Sequence, residues 1–365
     1  RGQPRHSHSM LVVIGGAGLA LALLLLLCYY LADRETTDAA AVRRGCTTHK
    51  TVVLSRGVTA YVDQGPRDGT PILLVHGLSV GSIAYEAYHG PFLAAGFRVL
   101  SFDGYGRGFS DRVDERRGAP LDVAALVCQV EELLDHLGVK RVVLYGVSLG
   151  AAISARFAAT HPERVLAVGF QCPLVEAPPN PVLALANVLA KVPIVHAWVR
   201  RVLLAPILLK RGEALGVEAR SDAARRVHAH FVEQFGVCGT AHNLSSLLRD
   251  ACRESFTGTP PKPPDLRCAG RYVLASGCAR ALLISVGVGR PWCAGAHRAI
   301  DAARLPVHFA FATDDPEMPR ATVEACIGLY GGRAASQAYE GGHFFSNGRE
   351  AEVAAGFVKF AKRVL

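Results

Sequence analysis

The chain has 365 residues and half of them are apolar, so it can bury the core of one large domain with an insertion, or of two modest domains, and global disorder is excluded. Its 40 Lys and Arg against 31 Asp and Glu leave it basic, yet the excess is mostly scattered arginine in an Ala- and Gly-rich sequence. No basic stripe is present for a nucleic acid to follow, and no nucleic-acid partner is expected.

From the N-terminus, a tail at 1–9 precedes residues 10–32, an uncharged run long enough at ~1.5 Å per residue to cross a hydrocarbon layer of ~30 Å. This run is expected to be a transmembrane helix that makes the protein single-pass and membrane-bound. The rival, a cleaved signal peptide, calls for an apolar region of only about 7–15 residues ending in small residues. Tyr29 and Tyr30 at the far end suit the aromatic belt of a membrane interface better than a cleavage site. Charge does not orient the helix, because Arg1 and Arg5 precede it while Arg34, Arg43 and Arg44 follow in a linker at 33–49.

Strands separated by helices begin at residue 50. TVVLSRGVTAYVDQG at 51–65 predicts an antiparallel pair, and PILLVHG at 71–77 and FRVLSFD at 97–103 are the short apolar runs of parallel strands covered on both faces. Residues 81–96 supply a crossover helix, and LDVAALVCQVEELLDHL at 121–137 a second with apolar residues at helical spacing. RVVLYGV at 141–147 is the next strand, LGAAISARFAATHPE a helix whose small residues suit tight packing on the sheet, and RVLAVGF a further strand.

The rhythm breaks at 173–301, which holds an apolar, basic-rimmed helix candidate at 182–210 and the proline cluster TPPKPP at 259–264. This stretch is expected to be an inserted cap, too long for a mere loop. Alternation resumes over 302–365 with PVHFAFATDD, a helix at 321–330, ASQAYEGGH and a last helix at 350–364. The expected architecture is an α/β core at 50–172 and 302–365, with a mostly parallel central sheet flanked by helices and split by the cap.

Ten cysteines show no paired spacing of a structural zinc site, and no metal is expected. Cys172, Cys238, Cys252, Cys268, Cys278 and Cys293, in or beside the cap, suffice for three bridges, and Asn243-Leu244-Ser245 is a candidate glycosylation sequon. Both features would suit a lumenal or extracellular domain.

G-x-S-x-G occurs twice, as Gly77-Leu78-Ser79-Val80-Gly81 and Gly146-Val147-Ser148-Leu149-Gly150. The motif serves nucleophilic catalysis because a sharp strand-to-helix turn exposes the serine, and only glycine leaves room beside it. Ser148 has that context, directly after a strand and opening a helix whose first amides can face developing negative charge. Ser79 follows His76-Gly77, where a second backbone amide is needed, so the N–H groups of Leu78 and Leu149 are the expected oxyanion pair. Gly104, Gly106 and Gly108 imitate a dinucleotide fingerprint but fail on spacing, and no nucleotide is expected.

LLVHGLS at 73–79, SFDGYGRGFSDR at 101–112, YGVSLGAAISARFAATHPERV at 145–165, and the late pair FATDDPEMP and EGGHFF together resemble the capped α/β-hydrolase superfamily over roughly residues 51–365. The resemblance implies chain order serine, acid, histidine. His343 is then the general base. Asp314 and Asp315 compete as the acid, and the family's spacing to a proline four positions on, here Pro319, favours Asp315. Serine at 148 separates the chain from the epoxide hydrolase and dehalogenase branches, which need a carboxylate there.

An unactivated hydroxyl needs an imidazole to take its proton and a carboxylate to hold the imidazole, with no cofactor. The expectation is therefore hydrolysis of a carboxylic ester, with the anchor and the apolar cap pointing to a lipophilic substrate such as an acylglycerol or lysolipid. Cleavage of a carbon–carbon, amide or thioester bond uses the same groups. A ligand-binding scaffold would have no need of all three.

Overall fold

A computed structural model describes residues 6–31, 35–78, 80–113, 121–175, 198, 202, 205–207, 209–210, 221–240, 242–244, 246–247 and 294–365. Most of the expected cap helix at 182–210 lies outside these residues, as do the proline cluster, Ser79, Ser245, Cys252, Cys268, Cys278 and Cys293.

β1 (Lys50–Leu54) and β2 (Gly57–Gln64) form the expected antiparallel pair. β3 (Pro71–Val75), β4 (Arg98–Phe102), β5 (Val142–Val147), β6 (Val165–Gln171), β7 (Val307–Ala312) and β8 (Ala335–Tyr339) follow, and the eight make one sheet in the order β1-β2-β4-β3-β5-β6-β7-β8. The pairs β3–β4, β3–β5, β5–β6, β6–β7 and β7–β8 are all parallel. This is the α/β-hydrolase fold.

Parallel strands need helical crossovers, and these cover both faces, which is why β3 is apolar at successive positions. Leu73 and Val75 point into a core shared with α4 (Val123–His136) and α5 (Leu149–Thr160), whereas Ile72 and Leu74 point into one shared with α3 (Glu86–Ala94) and the C-terminal helix at Glu350–Val364. Asp122 caps α4, its carboxylate accepting from Ala125 N–H at 2.7 Å. Val123, Leu126, Val127, Val130, Leu133 and Leu134 then line the buried stripe at helical spacing.

The chain leaves the sheet after β6. Of the stretch between β6 and β7 the described residues include α6 (Asp222–Gln234), whose Phe231 packs with Phe235, Leu209 and Leu244. The return to β7 runs through α7 (Ala294–Ala302), which packs against α5 and buries Ile300 in the main core. Core packing therefore resumes at α7, upstream of the expected boundary at residue 302. The motif FATDD then ends β7, α8 (Arg320–Gly328) leads to β8, and α9 (Glu350–Val364) closes the chain.

Ahead of the sheet, α1 (His6–Leu31) contains an 18-residue window, Ile14–Leu31, of mean hydropathy 2.2 with none of it buried, long and apolar enough to cross a membrane. The chain after it is bonded to the stretch between β6 and β7. Thr36 and Thr37 N–H donate to Gly236 O at 3.0 and 2.9 Å, and Cys238 N–H donates to Thr37 O at 2.9 Å. Gly239 N–H donates to the Glu35 carboxylate at 2.9 Å, and within α1 itself Leu25 O accepts from the Trp198 indole N–H at 3.0 Å. The short helix α2 (Ala39–Arg44) follows, its Arg43 paired with Asp111 at 2.8 Å.

Several histidines are structural. Burial lowers His76 to about 4, His297 to about 3 and His308 to about 4, so all three stay neutral in the fold. In the unfolded chain each binds a proton below about pH 6.5. The unfolded state thus gains protons first, and stability present above about pH 6.5 is lost progressively toward about pH 4. Urea midpoints should fall between about pH 7 and pH 4.5, above the range where most carboxylates titrate; a flat midpoint across that window would contradict this account.

Candidate active site

The turn between β5 and α5 places Ser148 at φ 53° and ψ −117°, a conformation that costs a non-glycine residue energy and is sustained here by its surroundings. Ser148 N–H donates to Gln171 O at 2.9 Å, and Leu174 N–H donates to Ser148 O at 3.2 Å. Both flanking glycines are required sterically. A Cβ at Gly146 would overlap the Gly150 carbonyl, and one at Gly150 would overlap the Val75 carbonyl on the neighbouring strand.

The loops after β7 and β8 bring the other groups to the same carboxyl edge of the sheet. His343 Nδ1–H donates to Asp315 Oδ2 at 2.7 Å, and the Ser148 hydroxyl lies 3.2 Å from His343 Nε2. Asp315 is buried, and its other oxygen, Oδ1, accepts from Glu317 N–H at 2.8 Å and Met318 N–H at 3.0 Å, which fixes the carboxylate plane. Asp314 is exposed, and its backbone N–H donates to Gly341 O at 3.3 Å.

The turn after β3 lies against the serine: a Cβ built on Gly77 would sit 3.4 Å from Ser148 Cβ. His76 holds this turn, donating from Nδ1 to Gly77 O and accepting from Gly104 N–H at Nε2, both at 2.7 Å. Arg107 Nε–H donates to Leu78 O, and buried Asp103 accepts from Ser82 N–H at 2.6 Å, Ser82 Oγ–H at 2.8 Å and Phe109 N–H at 2.8 Å. Asp103 thus braces the turn. Leu149 opens α5, so its N–H is among those a helix start leaves without an intrahelical partner. A cavity of about 10 Å³, room for one water, is lined by Leu78 and Leu149 together with Phe102, Leu126, Ile153 and Leu247.

Sequence reasoning missed three residues of this edge. Glu317 places a carboxylate oxygen 3.8 Å from His343 Nε2, at the mouth of the site. Gln171 accepts from the Tyr145 and Tyr88 hydroxyls at 2.8 and 3.0 Å and donates to Ser346 Oγ at 3.0 Å, tying β6 to the histidine loop. The third is Cys172, directly after β6, and here the disulfide expectation is corrected. Its thiol is free and buried, donates to His343 O at 3.4 Å, and lies with the Asp315 and His343 ligand atoms inside 4.8 Å. Burial, and then the nearby Asp315 charge, push that thiol well above its usual range. A strand end at the same carboxyl edge of the sheet was the available signal for it. The Cys238 thiol donates to Glu35 O at 3.1 Å, at the junction with the chain that follows α1.

The sequon expectation also changes. Asn243 is fully buried, its Oδ1 accepting from Val113 N–H at 2.8 Å and its Nδ2–H donating to Val113 O at 2.9 Å, which leaves no room for a glycan. Asn243→Ala is expected to cost about 1–3 kcal/mol of stability by stranding both Val113 groups, read as a lower urea midpoint; an unchanged midpoint would refute that role.

The comparisons with known proteins agree with this fold. A family model described as alpha/beta hydrolase fold matches residues 70–230. The chain is similar to a haloalkane dehalogenase of Mycolicibacterium paratuberculosis (strain ATCC BAA-968 / K-10), 37% identical over 105 residues, covering 29% of this chain and 34% of that protein. It is also similar to a 2-hydroxy-6-oxo-6-phenylhexa-2,4-dienoate hydrolase of Comamonas testosteroni, 37% identical over 103 residues, covering 27% of this chain and 34% of that protein. The chain spans about a third of the length of these curated relatives. Among solved structures, an enol-lactonase from Burkholderia xenovorans LB400 superposes with a TM-score of 0.60 at 17% identity, over 86% of this chain and 100% of that one. A membrane phospholipase A, described as a novel bacterial virulence factor, gives 0.58 at 19%, over 98% and 99%. The chain is an α/β-hydrolase-fold protein.

Proposed function

We propose that the protein is a membrane-anchored serine hydrolase that cleaves a carboxylic ester of a lipophilic substrate, such as an acylglycerol or lysolipid. The observation that carries this reading is the Ser148 hydroxyl 3.2 Å from His343 Nε2, on an imidazole whose Nδ1 is held by Asp315 at 2.7 Å. His343 takes the Ser148 proton as Oγ attacks the ester carbonyl, and the Leu78 and Leu149 N–H groups receive the developing oxyanion. The same imidazole then protonates the departing alcohol, leaving an acyl-Ser148 that a water deprotonated by His343 resolves. The apolar α1 supports anchoring.

Carbon–carbon hydrolysis is the second reading, favoured by the resemblance to the Comamonas dienoate hydrolase. Glu317, with its carboxylate 3.8 Å from Nε2, weighs against an acidic substrate of that kind. Dehalogenation would need a carboxylate where Ser148 stands. The test is a turnover panel of monoacylglycerol, lysophospholipid, short-chain aryl ester and a dienoate ketone with the full chain in detergent. The esters should be cleaved and the dienoate left; turnover of the dienoate alone would reverse the choice.

A further inference from the structure

An open cavity of about 330 Å³ lies between α2 and β1, away from Ser148, and is lined by Arg43, Arg44, Cys46, His49, Thr51 and Phe109 among others. No carboxylate lines it among the described residues. Arg43 is engaged, donating to Phe109 O at 2.8 Å and pairing with Asp111 at 2.8 Å. Arg44 is exposed and makes no bond or ion pair with any described residue. His49 lies in the wall, bonded through Nδ1 to Thr48 Oγ1 and through Nε2 to Ser82 Oγ, each at 2.8 Å.

We propose that this cavity binds a phosphate-type anion, with the Arg44 guanidinium as the principal contact and the edge of His49 beside it. A guanidinium fork matches phosphate oxygens, and an uncompensated one at a cavity rim is suited to that exchange of water for anion. The location names a source. Leu31 and Glu35 are four residues apart, at most ~14 Å of chain. α2 begins four residues later at Ala39, so Arg44 lies near the headgroup layer when α1 spans the bilayer. The lipid source rests on the anchoring reading; phosphate recognition and the hydrolase chemistry are independent of each other. Ligand at His49 would also touch the bracing of the catalytic turn, since Ser82 links His49 to Asp103.

The test is thermal melting of the full chain carrying Ser148→Ala, in uncharged detergent, so that no lipid is consumed. Dihexanoyl phosphatidylglycerol, dihexanoyl phosphatidylcholine and inorganic phosphate are titrated separately. A saturable rise with phosphatidylglycerol but not phosphatidylcholine, its half-saturation raised at least about tenfold by Arg44→Gln, supports a lipid headgroup. An equal Arg44-dependent rise with inorganic phosphate supports a free anion. No saturable rise with either anion, or identical titrations in the Arg44→Gln protein, overturns the site. A ligand-free melting temperature equal to that of the parent shows that the Arg44→Gln protein is folded.

Discussion

Ser148→Ala is expected to lower kcat by about 10⁴–10⁶-fold, with KM little changed, and to abolish covalent labelling by a fluorophosphonate. In the proposed mechanism the loss is large because the hydroxyl forms the acyl bond, and no described neighbour at the turn offers another nucleophile. Ser79→Ala should retain labelling. Stability adds a second readout. Alanine at φ 53° keeps the backbone strain that serine bears, whereas Ser148→Gly releases it, so the glycine variant should be the more stable of the two by about 1 kcal/mol although equally inactive. Labelling of Ser148→Ala at the parent rate would remove Ser148 from the chemistry altogether.

Asp315→Asn is expected to cost about 10⁴-fold in kcat, and Asp314→Asn only a few-fold. The backbone fixes the outcome at position 315. Glu317 and Met318 N–H groups both donate to Oδ1, so the amide oxygen must occupy that side and its NH₂ must face His343 Nδ1. The imidazole then accepts at Nδ1 and carries its proton on Nε2, toward Ser148, where it cannot take another. Asp314 is exposed, and its removal leaves that arrangement intact. Equal losses from the two variants, measured as kcat/KM on an aryl ester, would overturn the assignment.

Much of this was legible from local pattern. Apolar runs such as PILLV and VVLYGV read as parallel strands because helices cover both of their faces, and the G-x-S-x-G turn at 146–150 read as a strand-to-helix junction because its glycines meet backbone directly. What was not legible depends on long-range contact. Cys172 and Asn243 carry the signatures of a lumenal or extracellular domain, yet the fold turns one toward the histidine loop and buries the other against Val113. Glu317 reads as an ordinary loop carboxylate, and only the return of residue 343 gives it a neighbour. The start of α7 was hidden because its core face is presented by α5, far away in sequence.

The bonds between residues 35–37 and 236–239 have a mechanical meaning. Only three residues intervene between Leu31 and Glu35, so there is little slack between the apolar helix and this junction. From the junction, Asn243 N–H donates to Gly239 O, and the Asn243 side chain grips Val113, in the same connection after β4 that presents Gly104 to His76. If α1 spans a bilayer as proposed, its tilt would reach the scaffold behind the turn after β3 as a lever stroke, and bilayer thickness would then become a variable to which turnover responds.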